Sequence, residues 1–181
     1  MTISDRLQNT ATGMLNRARQ LGLPVQGAER LGERLEPMAI KHLSRFVIPF
    51  VRRSGVRIVE LEPCRVVCAM PLKGNVNHIG TMYAGALFTL AEFPGGPLML
   101  ATFGMRRFIP IVTALDLAFV KAAKTDVSVE LTLPDEEAKR IEAETLEHGQ
   151  AEFELRGELK DTNGEVVARS RALYQMRPRR R

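Results

Sequence analysis

The sequence almost runs out of charge in its middle: between Lys73 and Arg106 the only formally charged residue is Glu92. Cysteine is scarce as well, with Cys64 and Cys68 the only two. No His or Cys partners complete a zinc set around them, so they read as small core residues and no metal site is expected. The N-terminus lacks the apolar core and cleavage site of a secretory signal, which makes a cytoplasmic location the expectation. Internal repeats are missing, and the one biased stretch is the end, Arg177-Pro178-Arg179-Arg180-Arg181. No aromatic residues interleave with those arginines. A solvated end is therefore expected rather than a tail that binds nucleic acid.

What is present is a soluble-protein composition. The 181 residues are 45% hydrophobic and 26% charged, with a net charge of +5. That length suits one domain carrying an extension. The apolar run after Ile79 is long enough to raise a membrane span. It is interrupted by Glu92 and by Pro94-Gly95-Gly96-Pro97, and a carboxylate at mid-bilayer is costly. A buried helix of a soluble domain is the better reading, because that segment is apolar nearly all round.

Periodicity divides the rest. Ile3, Leu7, Ala11, Met14, Leu15, Ala18 and Leu21 recur at helical spacing, so residues 1–22 read as an amphipathic helix. Arg6, Arg17 and Arg19 give it a basic side, but packing on the domain or on a partner subunit is expected over membrane contact. A second helical region runs from about Ala28 to Val47. The signal then turns to strand: Gly55–Leu61 and Arg65–Met70, separated by Glu62-Pro63. Phe108–Val120 is a long apolar strand whose Pro110 marks an edge or a bulge. Val127, Val129, Leu131 and Leu133 alternate with polar residues. Pro134-Asp135-Glu136-Glu137 opens a short helix, acids first, that ends near His148-Gly149. The alternating stretches on either side of Asp161-Thr162-Asn163-Gly164 form a hairpin. Period-2 strands with hairpin signals argue an antiparallel sheet around the buried helix, an α+β class. The expected boundaries are a helical extension over 1–49, a domain over 50–178 and a basic tail over 179–181.

A lone carboxylate in apolar surroundings loses hydration worth several kcal/mol, so Glu92 should be protonated, partnered, facing a wet cavity, or used in chemistry. A partner arginine or a backbone cap is the bland alternative. Asn77 and His78 precede the buried helix, whose start presents free backbone N–H groups and a positive dipole end. The small Ala84-Gly85-Ala86 run lets a ligand carbonyl approach that backbone as in an oxyanion hole. A carboxylate farther along could then activate water or attack an acyl carbon. Glu92 lies fourteen residues past His78, about 20 Å at helical rise. One chain does not easily bring it to its own Asn77, whereas two antiparallel helices could, so a site shared across a dimer interface is expected.

The run Asn77-His78-Ile79-Gly80-Thr81-Met82-Tyr83-Ala84-Gly85-Ala86-Leu87-Phe88-Thr89-Leu90-Ala91-Glu92 resembles the central-helix signature of hotdog-fold thioesterases, in particular the PaaI-like and DUF4442 (YiiD C-terminal-like) group. Phe119-Val120-Lys121-Ala122-Ala123-Lys124-Thr125-Asp126-Val127 is similar to a strand-to-strand passage of that group, and Asp161-Thr162-Asn163-Gly164-Glu165-Val166-Val167-Ala168 to its final turn. The likeness covers about Phe50 to Arg177. It implies a hotdog fold: five or six antiparallel strands wrapped around a long central helix. It also implies an acyl-CoA thioesterase, with coenzyme A as part of the substrate and no separate cofactor, working as a homodimer or homotetramer. A non-catalytic acyl-CoA or fatty-acyl binding protein on the same fold is the alternative. In the family pattern an Asn precedes the helix, a His-Gly-Gly opens it, and an Asp follows nine residues after that His. Here the Asn falls on Asn77 and the acid on Glu92. Tyr83 stands at the His, and Ala84 at the glycine whose N–H polarises the thioester carbonyl. With His78, singled out by its place before the helix, Glu92, Asn77, the Ala84 N–H and Tyr83 make the candidate catalytic set. Gly85 and Thr81 are candidates to line the substrate, and by the resemblance Arg106, Lys121 and Lys124 are candidates for the coenzyme A phosphates.

Overall fold

The structure is a computed structural model and describes residues 48–104 and 107–179. The helices expected over 1–22 and 28–47, and with them most of the proposed extension, lie outside the described residues, as do Arg106, Arg180 and Arg181.

A short helix, α1 (Pro49–Ser54), opens the described chain. Pro49 suits the first helical turn, where no N–H is needed, and Gly55 ends it at φ 74, a backbone that favours glycine. The alternation pattern does not signal α1, which is six residues long. β1 (Arg57–Glu62) and β2 (Arg65–Met70) follow as an antiparallel pair. Cys68 is a buried core residue of β2, as expected, but Cys64 is half-buried in the turn between the strands at φ 62.

The central segment forms α2 (Ala84–Glu92) and α3 (Gly95–Phe103). The Pro-Gly-Gly-Pro sequence does not shorten the helical run. Phe93 and Pro94 keep right-handed helical dihedrals, and the Leu98 N–H donates to Pro94 O at 3.0 Å. The prolines remove N–H donors without reversing the chain. This stretch is long and apolar enough to cross a membrane by length and composition alone, but 67% of the span is buried inside the protein. That is how the core helix of a globular domain looks.

β3 (Phe108–Phe119), β4 (Val127–Thr132), β5 (Ala151–Asp161) and β6 (Val166–Pro178) complete the sheet, with α4 (Asp135–His148) between β4 and β5. The sheet order is β1-β2-β4-β5-β6-β3, every pairing antiparallel. β3 is therefore an edge strand, as Pro110 suggested, and its register slips between Val112 and Ala114. The expected β5–β6 hairpin is present.

One face of this sheet wraps α2 and α3. Met70, Val129, Leu159 and Met176 from the strands meet Leu90, Leu98 and Met99 from the helices, all at 2% exposure or less. The opposite face carries charge in ladders: Arg65 pairs with Glu60 and Glu130, and Arg171 with Glu154. Six antiparallel strands closed around a central helix are the hotdog fold, and the chain has it.

Candidate active site

The strand-to-helix loop before α2 is shaped by two asparagines. Asn75 Nδ2 donates to Ser54 O at 2.7 Å and to Pro71 O at 2.8 Å, while the main-chain carbonyl of Asn75 accepts the Tyr83 N–H at 2.7 Å. Asn77 Oδ1 accepts the N–H of Ile79 at 3.0 Å and of Thr81 at 3.1 Å, and its Nδ2 donates to Thr81 Oγ1 at 2.9 Å. A short polar side chain that closes onto backbone two and four residues ahead is what a tight bend selects. Gly80, at φ 82, completes the bend. The Met82 N–H then donates to Ala123 O at 2.8 Å, which ties the loop to the passage between β3 and β4.

These ties leave a cleft of about 340 Å³ at the start of α2, lined among others by Asn77, Thr81, Ala84, Leu87, Phe119 and Lys121. The N–H groups of Ala84 and Gly85 have no acceptor among the described residues. The first donors of the helix to be satisfied are those of Ala86 and Leu87, both on Tyr83 O. Free first-turn donors with the positive helix end behind them favour an oxygen that gains negative charge. Tyr83 is 59% exposed, and its ring lies over Gly85: a β-carbon there would meet Tyr83 Cε1 at 2.4 Å. Glycine at 85 thus lets the tyrosine fold across the first turn of the helix.

Four of the residues singled out by sequence, Asn77, Thr81, Ala84 and Lys121, meet at this cleft. The others do not. His78 is exposed on the outer side of the bend. Lys124 is exposed too and does not line the cleft. Lys121 reaches the cleft but is ion-paired with Glu165, whose carboxylate raises its pKa. Glu92 lies eight residues beyond Ala84 on α2, about 12 Å along the axis.

Ala84, Phe88 and Glu92 recur at i, i+4 and i+8, so they share one helix face. That face is not packed into the core. Phe88 is 46% exposed and Glu92 is half-buried, whereas Ala86, Leu87, Leu90 and Ala91 point inward. The Glu92 carboxyl has no hydrogen-bond or ion-pair partner among the described residues, and burial pushes its pKa above the ordinary carboxylate range. The bland alternative, an arginine partner, is not found among the described residues. Sequence reasoning missed Tyr174. Its hydroxyl donates to the main-chain carbonyl of Glu92 at 2.9 Å. Burial, and after it the charge of Glu92, pushes the phenol upward. Ala168, Ser170, Ala172 and Tyr174 alternate with polar residues along the second strand of the hairpin, a signal that places the ring on one face without saying what it reaches. Among the described residues, no three His, Cys, Asp or Glu side chains converge as a metal set would.

The chain belongs to the family described as "Domain of unknown function (DUF4442)", which matches residues 37–175. Among solved structures it is similar to PA5026 from Pseudomonas aeruginosa, a protein of unknown function described as a "Probable Thioesterase". The two are 51% identical over 78% of this chain and 95% of that one, with a TM-score of 0.75. At 12% identity, thioesterase HI1161 from Haemophilus influenzae shares the fold at a TM-score of 0.60, over 77% of this chain and 90% of that one. Thioesterase SAV0944 from Staphylococcus aureus does so at 0.59 and 16% identity, over 72% of this chain and all of that one. No curated protein matches the chain.

Proposed function

We propose that this protein is an acyl-CoA thioesterase whose working site forms between two copies. The observation that carries the reading is the half-buried Glu92 on the same helix face as Ala84, neither the Glu92 carboxyl nor the Ala84 N–H having a partner among the described residues. Nearly half of PA5026 differs from this chain, but its description as a probable thioesterase supports the same reading. The thioester carbonyl oxygen sits against the Ala84 N–H at the helix start, beside Asn77. Glu92 of the second copy takes a proton from water as the water oxygen adds to the acyl carbon, or its carboxylate adds directly. Collapse of the tetrahedral species breaks the C–S bond, and the leaving thiolate takes up a proton, on the water route the one held by Glu92, to leave as the coenzyme A thiol. On the direct route the acyl–Glu92 anhydride that remains is cleaved by water to the acid and the free carboxylate. A carboxylate whose pKa lies above its ordinary value is the stronger base.

The second copy is supported by the edge strand. Among the described residues β3 hydrogen-bonds to β6 alone, and Ile109, Ile111, Phe119 and Val120 on and just beyond it are 40–57% exposed. An unpaired apolar edge is a template for another strand. Pairing there gives a homodimer, and a further pairing gives a tetramer. The phosphates of coenzyme A fall to Lys121, Lys124 and Arg106, with Lys121 exchanging Glu165 for phosphate. The reaction needs no separate cofactor, metal or nucleic acid, and the cytoplasm is its proposed location, without membrane contact by the N-terminal segment.

One observation favours the alternative, a binding protein for acyl-CoA or fatty acyl groups. The Asn77 side chain is already engaged three times within its own loop, so it has one Nδ2 hydrogen left for a ligand. Thiol release over short, long and aryl acyl-CoAs separates the two. Glu92→Gln is expected to lower kcat by at least ~100-fold, the scale of a lost general base, while circular dichroism stays that of the parent. A variant that turns over at the parent rate removes Glu92 from the mechanism.

A further inference from the structure

We infer that Tyr174 is a positioning residue for Glu92, acting through the main chain, and that glycine at 95 is what admits it. This rests on the catalytic reading of Glu92 above. Pro94 and Pro97 supply no N–H, so the carbonyls of Leu90 and Phe93 lose the donors a continuous helix would give them. Those two hydrogen bonds are lost just where Glu92 ends α2. Tyr174 ties down that point from the sheet. It stands on β6 opposite Phe153 of β5 and Val112 of β3, is 3% exposed, and stacks on Phe153 with centroids 5.5 Å apart and planes 12° from parallel. A ring so held has little freedom, and its hydroxyl meets the Glu92 carbonyl at 2.9 Å.

Space for that contact comes from Gly95. A β-carbon at 95 would lie 2.0 Å from the Tyr174 hydroxyl oxygen and 2.3 Å from its Cζ. Any other residue there would drive the ring off the helix or the helix off the sheet. The carboxyl that this tether orients is half-buried, and no partner for it stands among the described residues. The buried residues of β2, β4, β5 and β6 carry no charge; Cys68 and Tyr174 are the titratable ones, and Ser170 is the other polar one. Inward from β3 come Val112, Leu115 and Leu117. Releasing the end of α2 lets the carboxylate swing toward water, which lowers its pKa toward the ordinary value.

The test is a ¹³C NMR titration of the full chain labelled at glutamate Cδ, with the Glu92 signal assigned by its loss in Glu92→Gln. Tyr174→Phe and Gly95→Ala are each expected to move the Glu92 titration to lower pH. In both, kcat for acyl-CoA hydrolysis drops about 10- to 100-fold, as a misplaced catalytic group would cause, with KM within about twofold. Ile58→Val, which thins the core on β1, four strands from β6 in the sheet, lowers Tm but leaves the titration in place. A folded Tyr174→Phe whose Glu92 titrates as in the parent overturns the inference, as does an equal shift in Ile58→Val. Should Tyr174→Phe fail to fold, Gly95→Ala decides by the same criterion. If the parent releases no thiol from any acyl-CoA, the hydrolase reading fails, but the titration still decides whether Tyr174 positions Glu92.

Discussion

Two helices of this protein handle acidic residues in opposite ways. On α4 the acids lead the helix and nearly all find cations: Glu136 pairs with Lys139 at 2.8 Å, and Arg140 with Glu137 at 2.6 Å and with Glu144 at 2.7 Å. On α2 a single acid, Glu92, has no cation, no hydrogen-bond partner among the described residues, and apolar surroundings. The first arrangement is what a solvated face needs, and each pair there contributes little. The second carries a desolvation cost that nothing in the described fold offsets. A cost kept without structural return points to chemistry, and the contrast between these helices is the reason for reading Glu92 as the working group.

The contrast is broken most severely through the apolar residues. Leu90 is wholly buried on α2, while Leu146 on α4 is 63% exposed. Leu90→Ala is expected to cost about 2–5 kcal/mol, lost transfer energy plus a cavity. Leu146→Ala should stay within about 0.5 kcal/mol, as exposed sites do. Urea unfolding of both checks this; equal losses would mean that α2 is not the core of the domain.

Most of this architecture is written in local pattern. Strands with one wet and one buried face alternate, so β4, β5 and β6 were legible nearly to the residue, and Pro110 foretold an edge. The lone charge at Glu92 was visible because its neighbours are all apolar. What was not legible depends on distance in the chain or on exceptions to local rules. The six residues of α1 leave too little periodicity. Cys64 looks like a strand residue but takes a positive φ in a turn. Pro94-Gly95-Gly96-Pro97 reads as a stop, yet the helix runs through it, because burial on the sheet holds Phe93 and Pro94 in helical dihedrals. Asn77 was read as a ligand group. Its hydrogen bonds to Ile79 and Thr81 show a bend-forming role that spacing alone did not reveal. The cleft unites residues near 77–87 with residues near 119–123, and no local signal joins those.

A gentler way to sharpen the comparison is to neutralise Glu92 and read stability rather than turnover. Burial raises its folded-state pKa above the unfolded value. Its contribution is therefore favourable below the unfolded pKa, and is lost as pH rises through the folded one. At pH 8 the charged form is a burden on the native state, so Glu92→Gln should raise Tm there. The gain should shrink toward zero below about pH 3, where the acid is protonated in both states. A protein that gains stability while losing hydrolysis shows the trade-off expected of an active-site group. A Tm that falls at pH 8 would mean that the carboxylate has a stabilising partner.

The smallest effect expected is on α4, and it has the opposite sign. The hydrogen bond from Arg140 holds Glu137 below the ordinary carboxylate range. A lowered folded-state pKa contributes stability above the unfolded value and loses it as pH falls through the folded one. Glu137→Gln should therefore lower stability at neutral pH, and the difference should vanish in acid. Both side chains are over a third exposed or close to it, at 39% and 34%, so water screens the pair and the loss stays under about 1 kcal/mol. Chemical denaturation of this variant and of Glu92→Gln across pH gives two curves of opposite slope. If the slopes agree, the two acids sit in like surroundings, and the case for Glu92 as the reactive one loses its physical basis.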